Sequence, residues 1–187
     1  MALTDDIALA HALADAAGAA IRPFFRAPYD IESKADASPV TEADRAAELA
    51  IRALLEKQRP AEGIIGEEYG TVREGASRQW VLDPIDGTRS FIAGRPIFGT
   101  LIALMQDGWP VLGIIDQPIS GERWVGAMGM PTTFNGKPAR TRSCRELLGA
   151  QLATTSPHLF SAHEGEHYLA LAAAVSGDKM GQGPIYG

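Results

Sequence analysis

From residue 4 to residue 26, Ile7, Ala10, Ala14, Ala17, Ile21 and Phe24 recur at steps of three and four, which predicts a helix with one apolar face. A second stripe, Ala43, Ala47, Ala50, Ile51, Leu54 and Leu55, predicts another helix, with Thr41 as its N-cap and Asp44 three residues on. Between them, the polar stretch from Tyr29 to Pro39 reads as a short strand or hairpin carrying Lys34. The period then shortens. Gly63-Ile64-Ile65-Gly66 and Gln79-Trp80-Val81-Leu82 read as short apolar strands. Phe98 to Gln106 and Trp109 to Asp116 read as two more, joined by the hairpin signal Asp107-Gly108. Arg123 to Ala127 and residues 151–154 are further strand expectations, and residues 161–175 a last helix. Mixed helices and strands without an internal repeat predict one α/β (α+β) domain over residues 1–187, with a layered sheet.

Two of these strands run directly into acids: Ile64-Ile65-Gly66 into Glu67-Glu68, and Trp80-Val81-Leu82 into Asp83-Pro84-Ile85-Asp86-Gly87-Thr88. Ligands of layered α/β proteins sit at such strand ends. If the strands are neighbours, Glu67, Asp83 and Asp86 converge. A close pair of carboxylates repels by roughly 4 kcal/mol at an effective dielectric near 20, and a divalent cation removes that cost. An all-oxygen donor set suits a hard ion such as Mg²⁺ better than Zn²⁺. Pro84 restricts the chain between the acids, so that the Ile85 carbonyl can serve as a further ligand. Gly87 permits close backbone approach. Thr88 supplies a hydroxyl and the start of a helix, whose N–H groups suit a phosphate. Two or more ions about 3.5–4 Å apart would clamp an in-line phosphoryl displacement. Read alone, Asp83-Pro84-Ile85-Asp86-Gly87 is also an ordinary turn former, Asp44 a helix-dipole partner, Thr88 a helix cap and Lys34 a solvated lysine.

Composition narrows the class. The 187 residues are 45% hydrophobic, enough for an ordinary core, and the formal charge is −6, which argues against nucleic-acid or membrane-surface partners. One cysteine, Cys144, suits a reducing compartment, and the start, Met1 to Asp6, has no signal-peptide character. A cytoplasmic protein is the expectation.

At the acidic strand ends the sequence resembles the inositol monophosphatase family. Gly66-Glu67-Glu68 and Trp80-Val81-Leu82-Asp83-Pro84-Ile85-Asp86-Gly87-Thr88 match two signatures of that family, and Thr41-Glu42-Ala43-Asp44 and Lys34 match two more positions. The resemblance implies a layered α-β-α-β-α sandwich and hydrolysis of small phosphomonoesters by two or three Mg²⁺ ions, with Mn²⁺ as a substitute. Carried over, Glu67, Asp83 and the Ile85 carbonyl bind one ion, and Asp83 and Asp86 share another. Glu67, Asp44 and Thr88 hold and activate the water. Asp86, Gly87, Thr88 and Arg89 bind substrate, with Glu68 and Lys34 behind them. The run Arg89-Ser90-Phe91-Ile92-Ala93-Gly94-Arg95 looks like the histidinol-phosphatase branch. That implies L-histidinol phosphate as substrate and a step of histidine biosynthesis. An inositol phosphate or another sugar or nucleotide phosphomonoester is the alternative. A homodimer follows from the resemblance too. The family's C-terminal Trp-Asp element is not present, and residues 176–187 are Gly-rich and atypical. The expectation is therefore a chain incomplete at its C-terminus, with a catalytically weak metal-binding module as a rival reading. A second rival is the zinc-protease pattern His163-Glu164-Gly165-Glu166-His167.

Overall fold

The structure, a computed structural model, describes residues 3–28, 31–33, 39–154 and 156–175. They fall into two compact units divided between Ala139 and Arg140. Lys34 and the 176–187 tail lie outside the described residues.

The first unit is a helical layer on one sheet. Helix α1 (Leu3–Ile21) ends earlier than its apolar period predicts. Pro23 carries no N–H and disfavours helical backbone at Arg22, so the chain tightens into a 3₁₀ turn over Arg22–Phe24. Strands β1 (Ile31–Ser33) and β2 (Pro39–Thr41) pair antiparallel, and β2 feeds α2 (Glu42–Gln58). The main sheet has eight strands: β3 (Gly63–Gly66), β4 (Gly70–Val72), β5 (Arg78–Asp86), β6 (Gly99–Gln106), β7 (Trp109–Gln117), β8 (Glu122–Ala127), β9 (Thr133–Phe134) and β10 (Lys137–Pro138). Their order is β10-β9-β8-β7-β6-β5-β3-β4. Among the described residues, only the β3–β5 pair is parallel. That one exception sends both acid-bearing strand ends to the same edge. The β6–β7 hairpin turns at Asp107 and Gly108, both at positive φ (52° and 83°), as the Asp-Gly signal requires.

Helices α1 and α2 pack on each other and on the sheet. Leu13, Ala14, Ala17, Ala47 and Ile51 meet Ile64, Trp80, Leu82, Ile102, Leu104 and Ile114 in one buried core. Alternate residues of β5, β6 and β7 supply this face, the period-two pattern of strands buried on one side. Phe25, Phe91 and Phe98 form a second aromatic cluster, with Phe91 edge-on to Phe98 at 5.1 Å. It pins the short helix α3 (Thr88–Ile92) beside the start of β6.

In the second unit, residues 151–154 carry no regular structure, against the expectation of a strand. Gln151-Leu152-Ala153-Thr154 offers one large apolar side chain, too little to bury a strand face, and no edge strand pairs with it. Helix α4 (Ala162–Ala174) forms as expected and opens with a capping box between Ser161 and Glu164. Phe160 packs on Tyr168 with ring centres 5.1 Å apart. Among the described residues, no helix is long and apolar enough to cross a membrane.

Candidate active site at the carboxyl ends of β3 and β5

Strand β3 lies parallel to β5 from Gly63 opposite Gln79 to Gly66 opposite Leu82. The pairing carries one step further, since the Glu67 N–H donates to the Leu82 carbonyl at 3.2 Å. Glu67 and Asp83 therefore leave the sheet side by side. Asp83 is the last residue of regular β5–β6 pairing, which then slips and resumes at Asp86 opposite Gly99. The bulge between them holds Pro84 and Ile85. The Pro84 carbonyl accepts from Thr100 Oγ1 at 2.8 Å, and the Ile85 side chain fills the core. Gly87 then takes a left-handed φ of 94°, and its carbonyl receives the first N–H groups of α3, from Ser90 and Phe91. A side chain there would be strained.

Asp44 arrives from the other side. Its Oδ2 accepts from the Thr41 N–H at 2.9 Å and from Thr41 Oγ1 at 2.6 Å, completing the capping box of α2. Its Oδ1 faces Thr88 Oγ1 at 3.5 Å, while the same hydroxyl lies 3.1 Å from the Ile85 carbonyl. The cap and the site thus use different oxygens of one buried carboxylate.

Asp83 is the electrostatic centre. Burial first, then a hydrogen bond with Glu67, then the charges of Glu67, Asp86 and Asp44 push its carboxyl up to about 8. Its Oδ1 is buried and accepts no hydrogen bond. Among the described residues, no three Asp, Glu, His or Cys side chains close into a ready-made cage. Glu67, Asp86 and Asp44 stand close enough to raise the Asp83 pKa. The donor set nevertheless fits a hard cation: every group is an oxygen, the neighbouring acids raise the Asp83 carboxyl, and one buried oxygen lacks a partner.

Of the residues singled out from sequence, Asp44, Glu67, Asp83, Ile85, Asp86, Gly87 and Thr88 meet here. Arg89 follows on α3 and is exposed. Glu68 enters through its backbone, because its N–H donates to Glu48 Oε2 at 2.7 Å. Glu48 is the residue that sequence reading missed. It is fully buried on α2, accepts from the Tyr69 N–H at 3.1 Å, and pairs with Arg52 Nε at 2.7 Å. It pins the 67–69 turn that presents Glu67. A Cβ on Gly66 would overlap the Glu48 carboxylate, so only glycine lets the two meet. The signal was present in outline: Glu48 falls on the buried stripe of α2, between Ala47 and Ile51.

The profile of the inositol monophosphatase family matches residues 3–180. The chain belongs to the inositol monophosphatase family. It is 53% identical over 163 residues to the chloroplastic bifunctional phosphatase IMPL2 of Arabidopsis thaliana, covering 86% of this chain and 47% of that protein. It is 48% identical over 162 residues to the histidinol-phosphatase of Streptomyces coelicolor, covering 84% of this chain and 59% of that one. Among solved structures, an inositol monophosphatase from Zymomonas mobilis superposes with a TM-score of 0.82 at 58% identity, covering 94% of this chain and 68% of that one. The chain thus spans about half to three-fifths of the length of these two curated relatives. The expected family and its α/β fold hold.

Proposed function

We propose that this chain carries the catalytic carboxylates of a Mg²⁺-dependent phosphomonoesterase that converts L-histidinol phosphate to L-histidinol and phosphate. The observation that carries the reading is Asp83: a buried, unpartnered carboxylate oxygen amid three further acids is costly in a core and suits a cation. Glu67, Asp83, Asp86 and the Ile85 carbonyl would hold two or three Mg²⁺ ions, with Mn²⁺ as a substitute. When bound, Mg²⁺ neutralises these acids, activates water and polarises the phosphoryl group. Thr88 Oγ1 accepts a hydrogen bond from the attacking water and donates its own to Asp44 Oδ1, the oxygen that takes no part in the helix cap. Glu67 orients that water from the opposite side. Asp86 and the backbone of Gly87 and Thr88 receive the substrate, and Arg89 adds a cation beside the phosphate. Glu68 supports the acids from behind, and the family resemblance assigns Lys34 the same part.

The substrate reading rests on the resemblance of the run after Thr88 and on the likeness to the Streptomyces histidinol-phosphatase. The formal charge of −6 also favours an ester with a cationic organic portion. The 58%-identical Zymomonas protein, called an inositol monophosphatase, favours inositol phosphate as the second reading. Phosphate release should be compared for histidinol phosphate, inositol monophosphate and 3′-phosphoadenosine 5′-phosphate, with Mg²⁺ and with a chelator. A kcat/KM at least about tenfold higher for histidinol phosphate is expected. Preference for inositol phosphate would reverse the substrate assignment. Undiminished turnover in the chelator would remove the metal. Mn²⁺ binding without turnover of any ester would favour the weak-module reading.

Glu48 tests the architecture behind the site. Glu48→Ala is expected to weaken Mn²⁺ binding by about 10–100-fold through the released 67–69 turn, with Glu48→Gln intermediate. Calorimetric titration reads this without turnover, and an unchanged Kd in the alanine variant would show that the turn holds itself. The reading takes the protein to be a cytoplasmic homodimer without nucleic-acid or membrane partners. The free, exposed thiol of Cys144 suits a reducing compartment, and light scattering would count the subunits.

A further inference from the structure

His163-Glu164-Gly165-Glu166-His167 has the spacing in which two histidines bind zinc and the first glutamate acts as base. The structure takes the base out of use. Glu164 Oε2 accepts from the Ser161 N–H at 2.9 Å and from Ser161 Oγ at 2.7 Å. These bonds, that from the hydroxyl foremost, hold its carboxyl below the usual range. A carboxylate committed to capping its own helix is a poor proton acceptor. The motif's base position is thus taken up by the helix cap.

The histidines have no such commitment in the cap. Both are exposed, one turn apart on the same face of α4, with ring centres 4.4 Å apart and planes at 80°. Two imidazoles sharing one ion at about 2.0–2.1 Å place their ligating nitrogens about 3 Å apart, a separation that suits rings at this spacing. We propose that His163 and His167 form a two-histidine surface site for a borderline divalent transition-metal ion of the Cu²⁺, Ni²⁺ and Zn²⁺ class. The next positions along this face are Ala170 and Leu171, which offer no donor, so water completes the coordination. Imidazole nitrogens select these ions over Mg²⁺, and Cu²⁺ binds most tightly. Glu164 supplies negative charge that offsets the positive start of the α4 dipole. The site is chemically separate from the all-oxygen cluster around Asp83, and it stands whether or not the phosphatase reading does.

Calorimetry of the full chain with Ni²⁺, in excess Mg²⁺ to occupy oxygen sites, tests it. The second imidazole binds intramolecularly, so His163→Ala and His167→Ala should each weaken Ni²⁺ at least about tenfold. The double variant should lose the event. Alanine is the best helix former, so circular dichroism should find the fold retained. Cu²⁺ paramagnetic resonance should count two equatorial nitrogens in the wild type and one in each single variant. His158→Ala should change neither readout. Single variants that bind Ni²⁺ like the wild type, a one-nitrogen Cu²⁺ signal, or loss of binding on His158→Ala would each overturn the assignment.

Discussion

Replacing Asp83 by asparagine is expected to remove turnover of any phosphomonoester and, in the same molecule, to raise the melting temperature of the metal-free protein. Both effects come from one carboxylate held where its charge is unwelcome. Its carboxyl stands at about 8 against an ordinary 3.8, through burial and then through Glu67, Asp86 and Asp44. A raised carboxyl pKa stabilises the fold while the proton is on. That stabilisation is complete below the unfolded value and is lost as pH climbs through the folded value of about 8. The metal-free protein should therefore lose stability steadily between about pH 4 and pH 8. A shift of this size corresponds to roughly 6 kcal/mol before screening, and the partial exposure of Asp83 reduces it to about 1–2 kcal/mol.

Asparagine keeps the shape and carries no charge at any pH. At pH 8 in a chelator, Asp83→Asn should melt roughly 2–8 °C above the wild type. At pH 4.5 the two should nearly coincide, because the wild-type carboxyl is then protonated too. Mg²⁺ should raise the wild-type melting point at pH 8 by binding only the folded state, and should leave the variant almost unmoved. The same substitution removes a donor from the proposed ion site, so kcat should fall by at least about a thousandfold, the scale on which charge stabilisation acts in such sites. Stability gained as function is lost is the usual mark of a strained active site. A variant that melts below the wild type at pH 8 would contradict the crowding, and near-normal turnover would reject the site.

How far such a site is legible in sequence depends on whether its parts are local. The Thr41–Asp44 cap was readable because both partners lie within one helical turn, and the Asp107-Gly108 turn because positive φ has a residue signature. The acids at the ends of β3 and β5 were readable as strand ends. That they converge depends on β3 and β5 being parallel neighbours, which no short stretch specifies. Asp44 drew two readings from sequence, helix cap or catalytic acid. The structure gives one oxygen to the cap and turns the other toward Thr88. Glu48 stayed hidden because its partners are backbone N–H groups about twenty positions away, at Glu68 and Tyr69. Residues 151–154 failed the other way: a short stretch between turns looks like a strand until it needs a neighbour to pair with.

The other large effect lies at the opposite end of β5. Asp6 and Glu62 are almost completely buried, at 1% and 6% exposure. Arg78 answers both, with Nε 2.9 Å from Glu62 Oε1 and Nη2 2.8 Å from Asp6 Oδ2, the latter off the hydrogen-bonding direction. Arg59 reaches the same two acids less closely, at 3.5 Å and 3.7 Å, and Trp80 Nε1 donates to Glu62 Oε2 at 2.6 Å. The cluster joins the start of α1, the end of α2 and the start of β5. Arg78→Ala leaves two buried acids to one distant cation, and breaking a buried pair in this way costs about 3–5 kcal/mol. Adding Asp6→Asn and Glu62→Gln to Arg78→Ala should recover most of the loss, because no unpaired charge then remains. Urea denaturation of the three proteins at pH 8 decides it. A loss below about 1 kcal/mol in Arg78→Ala would place the pair among surface ion bridges of little consequence. Failure of the triple variant to recover would assign the role to packing by the Arg78 stem instead of to its charge.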